Sequence, residues 1–271
     1  MAKARRQVAE SLKLVDVVVE LLDARIPASS RNPMINEILG SKPRLIVLNK
    51  ADLADEQATR EWAAKLGTGG TRALAINSVQ GQGMNQVPKA ARELAAPVMA
   101  ARAAKGIRPR AVRAMIVGIP NVGKSSFINR LTGGNRAKTG DKPGVTRGPQ
   151  WVKVNPDFEL LDTPGILWPK FEDPEVGVKL ALTGAISDLV VNIEDLAAKL
   201  LELVTALKPE ALQQRYKLDS LPGEGTETLA LVGRRRGLLV HGGEVDLSKA
   251  AVLVLREYRE GLLGRITLDH P

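Results

Sequence analysis

Apolar positions in the first half of the chain fall into short runs separated by amphipathic stretches. Val15 to Leu22 is a β-branched run, interrupted by Asp16 and Glu20 and ending at Asp23, and it predicts a buried strand. Arg44 to Leu48 and Ala73 to Ile76 predict two more strands, and Val112 to Val117 a fourth. Helical spacing lies between them. Ala4 to Lys13 reads as a basic amphipathic helix, Asn32 to Leu39 as a short one, and Asp55 to Leu66 as one closed by the glycines of 67–70. A further helix spans about Met84 to Glu93, and residues 95–110, rich in Ala, Arg and Lys, read as a connector. Lys124 to Leu131 is helical, and Trp151 to Val154 and Phe158 to Leu161 are adjacent strands around an Asn-Pro-Asp turn. The strand–helix–strand rhythm predicts an α/β fold, a mainly parallel sheet with helices on both faces. After Pro174 the period becomes mostly helical, with breaks at Leu221 to Gly225 and Gly233 to Gly243. The expected division is therefore residues 1–174 and an all-α domain over 175–271.

Composition narrows the chemistry. The 271 residues include no Cys and only two His, which excludes disulfides, thiol chemistry and a Cys- or His-built metal centre. No apolar stretch is long enough to span a membrane. Lys3, Arg5 and Arg6 have no apolar run behind them, which argues against a secretory signal and for a soluble cytoplasmic protein. Net charge is +9, unevenly spread: residues 100–150 hold 11 Lys/Arg and one acid, whereas residues 175–271 hold 12 basic and 14 acidic residues. Arg102, Lys105, Arg108, Arg110 and Arg113 fall in this stretch, which reads either as ordinary basic surface near an anionic ligand or as a site for an extended polyanion such as RNA.

Gly118-Ile-Pro-Asn-Val-Gly123-Lys124-Ser125 follows an apolar strand and opens a helix, the context of a phosphate-binding loop. In such a loop the successive N–H groups of Asn121, Val122, Gly123, Lys124, Ser125 and Ser126 wrap phosphates at a helix N-terminus. Lys124 reaches the β- and γ-phosphates, and Ser125 ligates Mg2+. Asp162-Thr-Pro-Gly165, which alone would be an ordinary turn, lies 38 residues after Lys124 behind a strand. There Asp162 is placed to hold Mg2+ through water, and the Gly165 N–H to face the γ-phosphate. Between them Lys142-Pro-Gly-Val-Thr146-Arg147 offers Thr146 to Mg2+ and the γ-phosphate. Asn49-Lys50-Ala51-Asp52 follows the Arg44–Leu48 strand. The Asp52 carboxylate can accept from guanine N1–H and the 2-amino group, a donor pair that adenine lacks. Asn49 and Lys50 would brace the base and the phosphate loop. Asn77-Ser78, after the Ala73–Ile76 strand, is placed to offer a backbone N–H to guanine O6.

These motifs are similar to those of translation-factor-type GTPases, but the guanine motif precedes the phosphate loop, so the order is circularly permuted. With Asp23-Ala-Arg25-Ile-Pro27 after the first strand and Ser29-Ser-Arg-Asn-Pro33 behind it, the chain resembles the YlqF-type family, ribosome biogenesis GTPase A, across nearly its whole length. The resemblance implies a permuted Ras-like P-loop domain with a helical C-terminal domain. It also implies binding of GTP and GDP, GTP hydrolysis, and action on the late large (50S) ribosomal subunit and its RNA. Three features bear on rate. Ile166 stands where many GTPases have a water-orienting glutamine, which implies slow intrinsic hydrolysis, and the family shares this substitution. Asn121 stands where K+-stimulated GTPases carry an asparagine. Similar members carry a Pro-Gly-His segment just before the position of Met1. Two alternatives stay open at this stage: an ATP-dependent phosphotransferase, and a nucleotide-gated RNA- or ribosome-binding module with negligible hydrolysis. Asp23–Arg25 reads either as a salt bridge or as a contact to nucleotide or RNA, and Arg234-Arg-Arg236 as a solvated run or a local RNA contact.

Overall fold

The apolar run after Asp16 forms the central strand β1 (Val17–Asp23), buried at all seven positions. A strand reads as nearly continuous apolar sequence when both its faces are covered. It pairs in parallel with β2 (Arg44–Asn49) on one side and β4 (Val112–Gly118) on the other, and β2 pairs with β3 (Arg72–Ala75). Beyond β4 lie β6 (Phe158–Asp162), parallel, and β5 (Gln150–Asn155), antiparallel to β6, giving the order β3-β2-β1-β4-β6-β5. This computed structural model describes residues 2–134, 150–163 and 173–271.

Helix α1 (Ala2–Leu12) and α2 (Pro33–Leu39) bring Val8, Leu12, Ile35 and Leu39 onto Val18, Met115, Val117 and Leu161. Helix α3 (Glu56–Leu66) sets Trp62 and Leu66 on Leu22, Ile46 and Leu48. The path β1–α2–β2–α3–β3 runs outward from β1, and α4 (Gln86–Ala104) carries the chain back to β4. Right-handed crossovers in opposite directions place α4 on the face away from α2 and α3. The strand order thus reverses between β1 and β4, where open α/β sheets bind ligands beyond the strands' carboxyl ends.

The two acids inside the β1 run are buried and paired. Asp16 accepts from Arg110 at 2.7 and 3.0 Å and from the Arg113 N–H at 2.9 Å. Glu20, 2% exposed, meets Arg44 at 3.2 Å, yet burial pushes its carboxyl above the usual value. Arg113 also reaches Glu159 at 3.2 Å and lies over the Trp151 ring. Two of the five cations assigned to a polyanion are therefore occupied within the fold, while Lys105 and Arg108 are exposed. A second difference concerns the expected connector: α4 continues to Ala104 with Pro97 inside it. Proline removes one helical N–H bond, but Ala, Met and Arg on both sides are strong helix formers, and Ala95 anchors the segment in the core.

The chain divides into one unit of Met1–Glu172 with Asp269–Pro271 and another of Asp173–Leu268. Asp269 closes the first: its carboxylate accepts from the Ser29 N–H (2.7 Å) and Oγ (2.9 Å), and its carbonyl from Trp62 Nε1 (3.1 Å). The second unit holds α6 (Pro174–Leu182), α7 (Ile193–Leu207), α8 (Pro209–Tyr216), α9 (Gly225–Arg235) and α10 (Leu247–Arg259), with a short 3-10 turn at Asp188–Val190. Asp173, Asn192 and Asp246 cap α6, α7 and α10 through their side chains. Helix α9 enters so close to α7 that a Cβ on Gly225 would stand 2.1 Å from the Ala198 carbonyl oxygen. The arginine tract is partly held: Arg236 reaches buried Glu257 at 3.4 Å and lies over Tyr216, and Arg235 meets Asp219 at 3.5 Å.

Candidate nucleotide site

Asp23, Asn49, Gly118 and Asp162 terminate four parallel strands at one end of the sheet, and Asn77 follows the fifth after a single intervening residue. Their loops therefore meet. Gly118 to Gly123 forms the turn from β4 into α5 (Lys124–Thr132). Gly123 has φ +100°, and a Cβ there would stand 2.4 Å from Asn49 Nδ2, so both backbone and space require glycine. Lys124 is 9% exposed, and its Nζ donates to the carbonyls of Gly118 (3.0 Å) and Ile119 (2.9 Å). Burial pulls its pKa down to about 8, against the opposing pull of Asp162. Burial likewise raises the Asp162 carboxyl, offset by Lys124 and by the Thr163 backbone N–H.

Asn49 links three segments. Its Nδ2 donates to the Val122 carbonyl at 2.8 Å, and its Oδ1 accepts the Ser78 N–H at 3.1 Å. Lys50 has φ +59°, and its Nζ donates to the Asn121 carbonyl at 2.8 Å. Asp52, just beyond, is exposed. The guanine motif thus grips the phosphate loop through its first two residues and leaves the third polar side chain, Asp52, in the open.

In the Asn77-Ser78 pair, placed to offer a backbone N–H to guanine O6, the Ser78 N–H donates to Asn49, and Asn77 Oδ1 accepts the next two N–H groups, of Val79 and Gln80, at 2.9 Å each. What Ser78 presents is its hydroxyl, 3.6 Å from where a Gly123 Cβ would be. Asn77 keeps a buried Nδ2 without a hydrogen-bond partner. Ser78 and Ser126 line a cavity of about 420 Å³ with Asn129 and Arg130, between α5 and the loop after β3.

Ser125 opens α5 beside Lys124, and Asp162 is coupled electrostatically to Lys124. A hydroxyl and a carboxylate are hard oxygen donors of the kind Mg2+ takes, completed by phosphate oxygens and water. Among the described residues no group of three or more His, Asp or Glu forms a cage by itself. Thr146, Gly165 and Ile166 lie outside the described residues.

The sequence did not reveal what stands behind Lys50. Asp23 Oδ2 lies 3.0 Å from its ammonium and 2.7 Å from Arg25. The parallel register that sets Asp23 opposite Asn49 makes this contact, and adjacency of the two strands was the only available signal. Arg25 is 1% exposed and paired with Asp23, which favours the salt-bridge reading over a contact with nucleotide or RNA.

Comparison with known proteins gives the family. The profile of a family described as "50S ribosome-binding GTPase" matches residues 113–220, a span with the phosphate loop but without Asn49–Asp52, as a permuted order requires. Ribosome biogenesis GTPase A of Bacillus cereus is 54% identical over 271 residues, covering 100% of this chain and 92% of that one. Mitochondrial ribosome-associated GTPase 1 of Mus musculus is 38% identical, covering 99% and 88%. The solved GNP-bound YlqF from T. maritima superposes with a TM-score of 0.68 at 28% identity, covering 99% and 98%.

Proposed function

The chain belongs to the ribosome biogenesis GTPase A family, and from that premise we propose that it binds and hydrolyses GTP while acting on the late large (50S) ribosomal subunit and contacting its RNA. The observation that carries the GTP reading is the Asn49 bridge, which ties the guanine motif to Val122 of the phosphate loop and to Ser78, with Asp52 exposed beyond it.

In this reading Asp52 accepts from guanine N1–H and the 2-amino group, and Asn49 and Lys50 brace the turn that carries it. The N–H groups of 121–126 hold the phosphates. Hydrolysis is attack of a water oxygen on the γ-phosphorus with loss of the bond to the β–γ bridging oxygen, releasing GDP. Lys124 leaves its carbonyl partners and stabilises charge on the transferring group. Ser125, Thr146 and Asp162 would hold Mg2+, which neutralises phosphate charge when bound. Gly165 would donate to the γ-phosphate. Isoleucine at 166 cannot hydrogen-bond water, so the intrinsic rate is low and the ribosomal particle supplies the missing order. Asn121, at φ +55° in the loop, would help hold K+ beside the phosphates, stimulating turnover. RNA contact falls to Arg102 and the exposed Lys105 and Arg108, since Arg110 and Arg113 are occupied.

The test is GTP hydrolysis in K+ and in Na+ buffer, each with and without purified large subunits. Stimulation by subunits, greater in K+, is the expected result. GTP-dependent binding to subunits with no rise in turnover would instead identify a nucleotide-gated binding module. ATP displacing bound GTP at equal concentration would overturn the guanine reading.

A further inference from the structure

Asp23 is 1% exposed at the end of β1, and every lone-pair direction of its carboxylate is in use. Oδ1 accepts from the Arg25 N–H at 3.1 Å and from Arg25 Nε at 2.9 Å. Oδ2 accepts from the second arm of the same guanidinium at 2.7 Å and lies 3.0 Å from Lys50 Nζ. A carboxylate offers about four such directions. The bidentate clamp fixes the plane of the carboxylate, and that plane sets where Oδ2 points. It points at Lys50.

Lys50 is where such aim matters. Its φ of +59° is one that non-glycine residues seldom adopt, and the turn it makes carries the chain from β2 towards exposed Asp52. Its ammonium bridges Asp23 below and the Asn121 carbonyl of the phosphate loop above, 71 residues away in sequence. Burial pulls the Lys50 ammonium below its usual pKa and Asp23 opposes that pull, so without Asp23 the long side chain loses both its direction and the main support of its charge.

We propose that Asp23 and Arg25 are positioning residues for nucleotide binding: the clamped carboxylate aims Lys50 at the Asn121 carbonyl and so holds the guanine-reading turn against the phosphate loop. The inference rests on the guanine reading of Asn49–Asp52. The electrostatics agree with it. Burial alone would raise the Asp23 carboxyl, but Arg25 and then Lys50 hold it well below the usual carboxylate range, so it is ionised across the working pH.

A buried ion pair that served only folding would show in stability alone, and a double-mutant cycle separates the two roles. The variants are Lys50→Met, the charge-balanced pair Asp23→Asn with Arg25→Gln, and the three substitutions together. The readouts are the affinity and dissociation rate of a fluorescent GDP, with the thermal midpoint of the empty protein as a control. Lys50→Met and the pair should each weaken GDP by roughly ten-fold, the scale of one charge-assisted hydrogen bond. The triple variant should be no weaker than either. Losses that multiply to roughly a hundred-fold, or wild-type affinity in the pair, would overturn the inference. If the pair does not fold, Arg25→Lys keeps the charge and removes the clamp. It should weaken GDP several-fold with no added loss on top of Lys50→Met, and unchanged affinity would be equally damaging. ATP competing with GDP as well as GTP does on the wild-type protein would remove the guanine reading itself. Discrimination retained alongside multiplying losses would remove only the positioning role.

Discussion

Asn49 commits both ends of its side-chain amide to other parts of the site, which makes it the residue whose loss should be felt twice. Asn49→Ala removes the bonds to Val122 and Ser78 and leaves a buried carbonyl and N–H without partners. Each such group costs on the order of 1–3 kcal/mol. The variant should lose about 2–4 kcal/mol in denaturant unfolding of the empty protein, and GDP affinity should fall by more than the ten-fold assigned to Lys50→Met. Lys124 gives a prediction in pH. Its folded pKa in the empty protein is about 8, below the ordinary 10.5, so between these values the unfolded chain binds more protons and stability rises with pH. Bound phosphates favour the charged form, so below pH 8 binding needs no proton and above it binding takes one up. GDP affinity should be flat from pH 7 to 8 and then fall, approaching roughly ten-fold per unit. Calorimetry in two buffers of different ionisation enthalpy should show proton uptake at pH 9 and little at pH 7. An affinity flat to pH 9 would mean that Lys124 is already uncoupled from burial.

At the scale of elements, α4 shows both what sequence carries and what it conceals. Strands β1, β2 and β4 were legible because a strand covered on both faces must be apolar along its length. The phosphate loop and the guanine motif were legible because each is local, a few residues at a strand end. The run of α4 past Glu93 was not, since Pro97 is a strong stop signal and only the packing of Ala95 and the helix formers around it outweighs that signal. The partners of Asp16 and Glu20 were hidden for another reason: Arg110 lies 94 residues from Asp16, and Arg44 lies 24 from Glu20. Spacing carries no record of which strands become neighbours. The same blindness hid Lys50–Asp23. If Pro97 is tolerated rather than required, Pro97→Ala restores a helical N–H bond and removes the clash with the preceding turn. It should stabilise the protein by about 1–3 kcal/mol in denaturant unfolding. GDP affinity should stay unchanged, because the loops that build the nucleotide site follow other elements than α4. A loss of stability would show that the helix is shaped around the proline.

Over the whole molecule, charge is the property that most exceeds the needs of nucleotide binding. The net value is +9, and most of the imbalance lies in residues 100–150. The fold sorts these cations into kinds that sequence alone treats as one. Lys124 is buried in the phosphate loop, Arg130 clamps the Gln80 carbonyl, Arg110 holds Asp16, and Arg113 holds Glu159 and covers Trp151. Lys105 and Arg108 stay exposed between α4 and β4. Only cations of the exposed kind can release counterions from a polyanion without breaking the fold. Affinity for large-subunit RNA should therefore fall linearly on a log–log plot against salt. Lys105→Ala with Arg108→Ala should reduce that slope by roughly 1.4 to 1.8, about 0.7 to 0.9 for each phosphate left without its cation. The thermal midpoint should not move. Arg110→Ala should do the reverse, leaving the salt slope nearly intact while lowering stability, because it strands the buried Asp16 carboxylate. A slope unchanged in the first variant would put the RNA contact elsewhere on the molecule, and a slope that fell in the second would mean that Arg110 exchanges Asp16 for phosphate on binding.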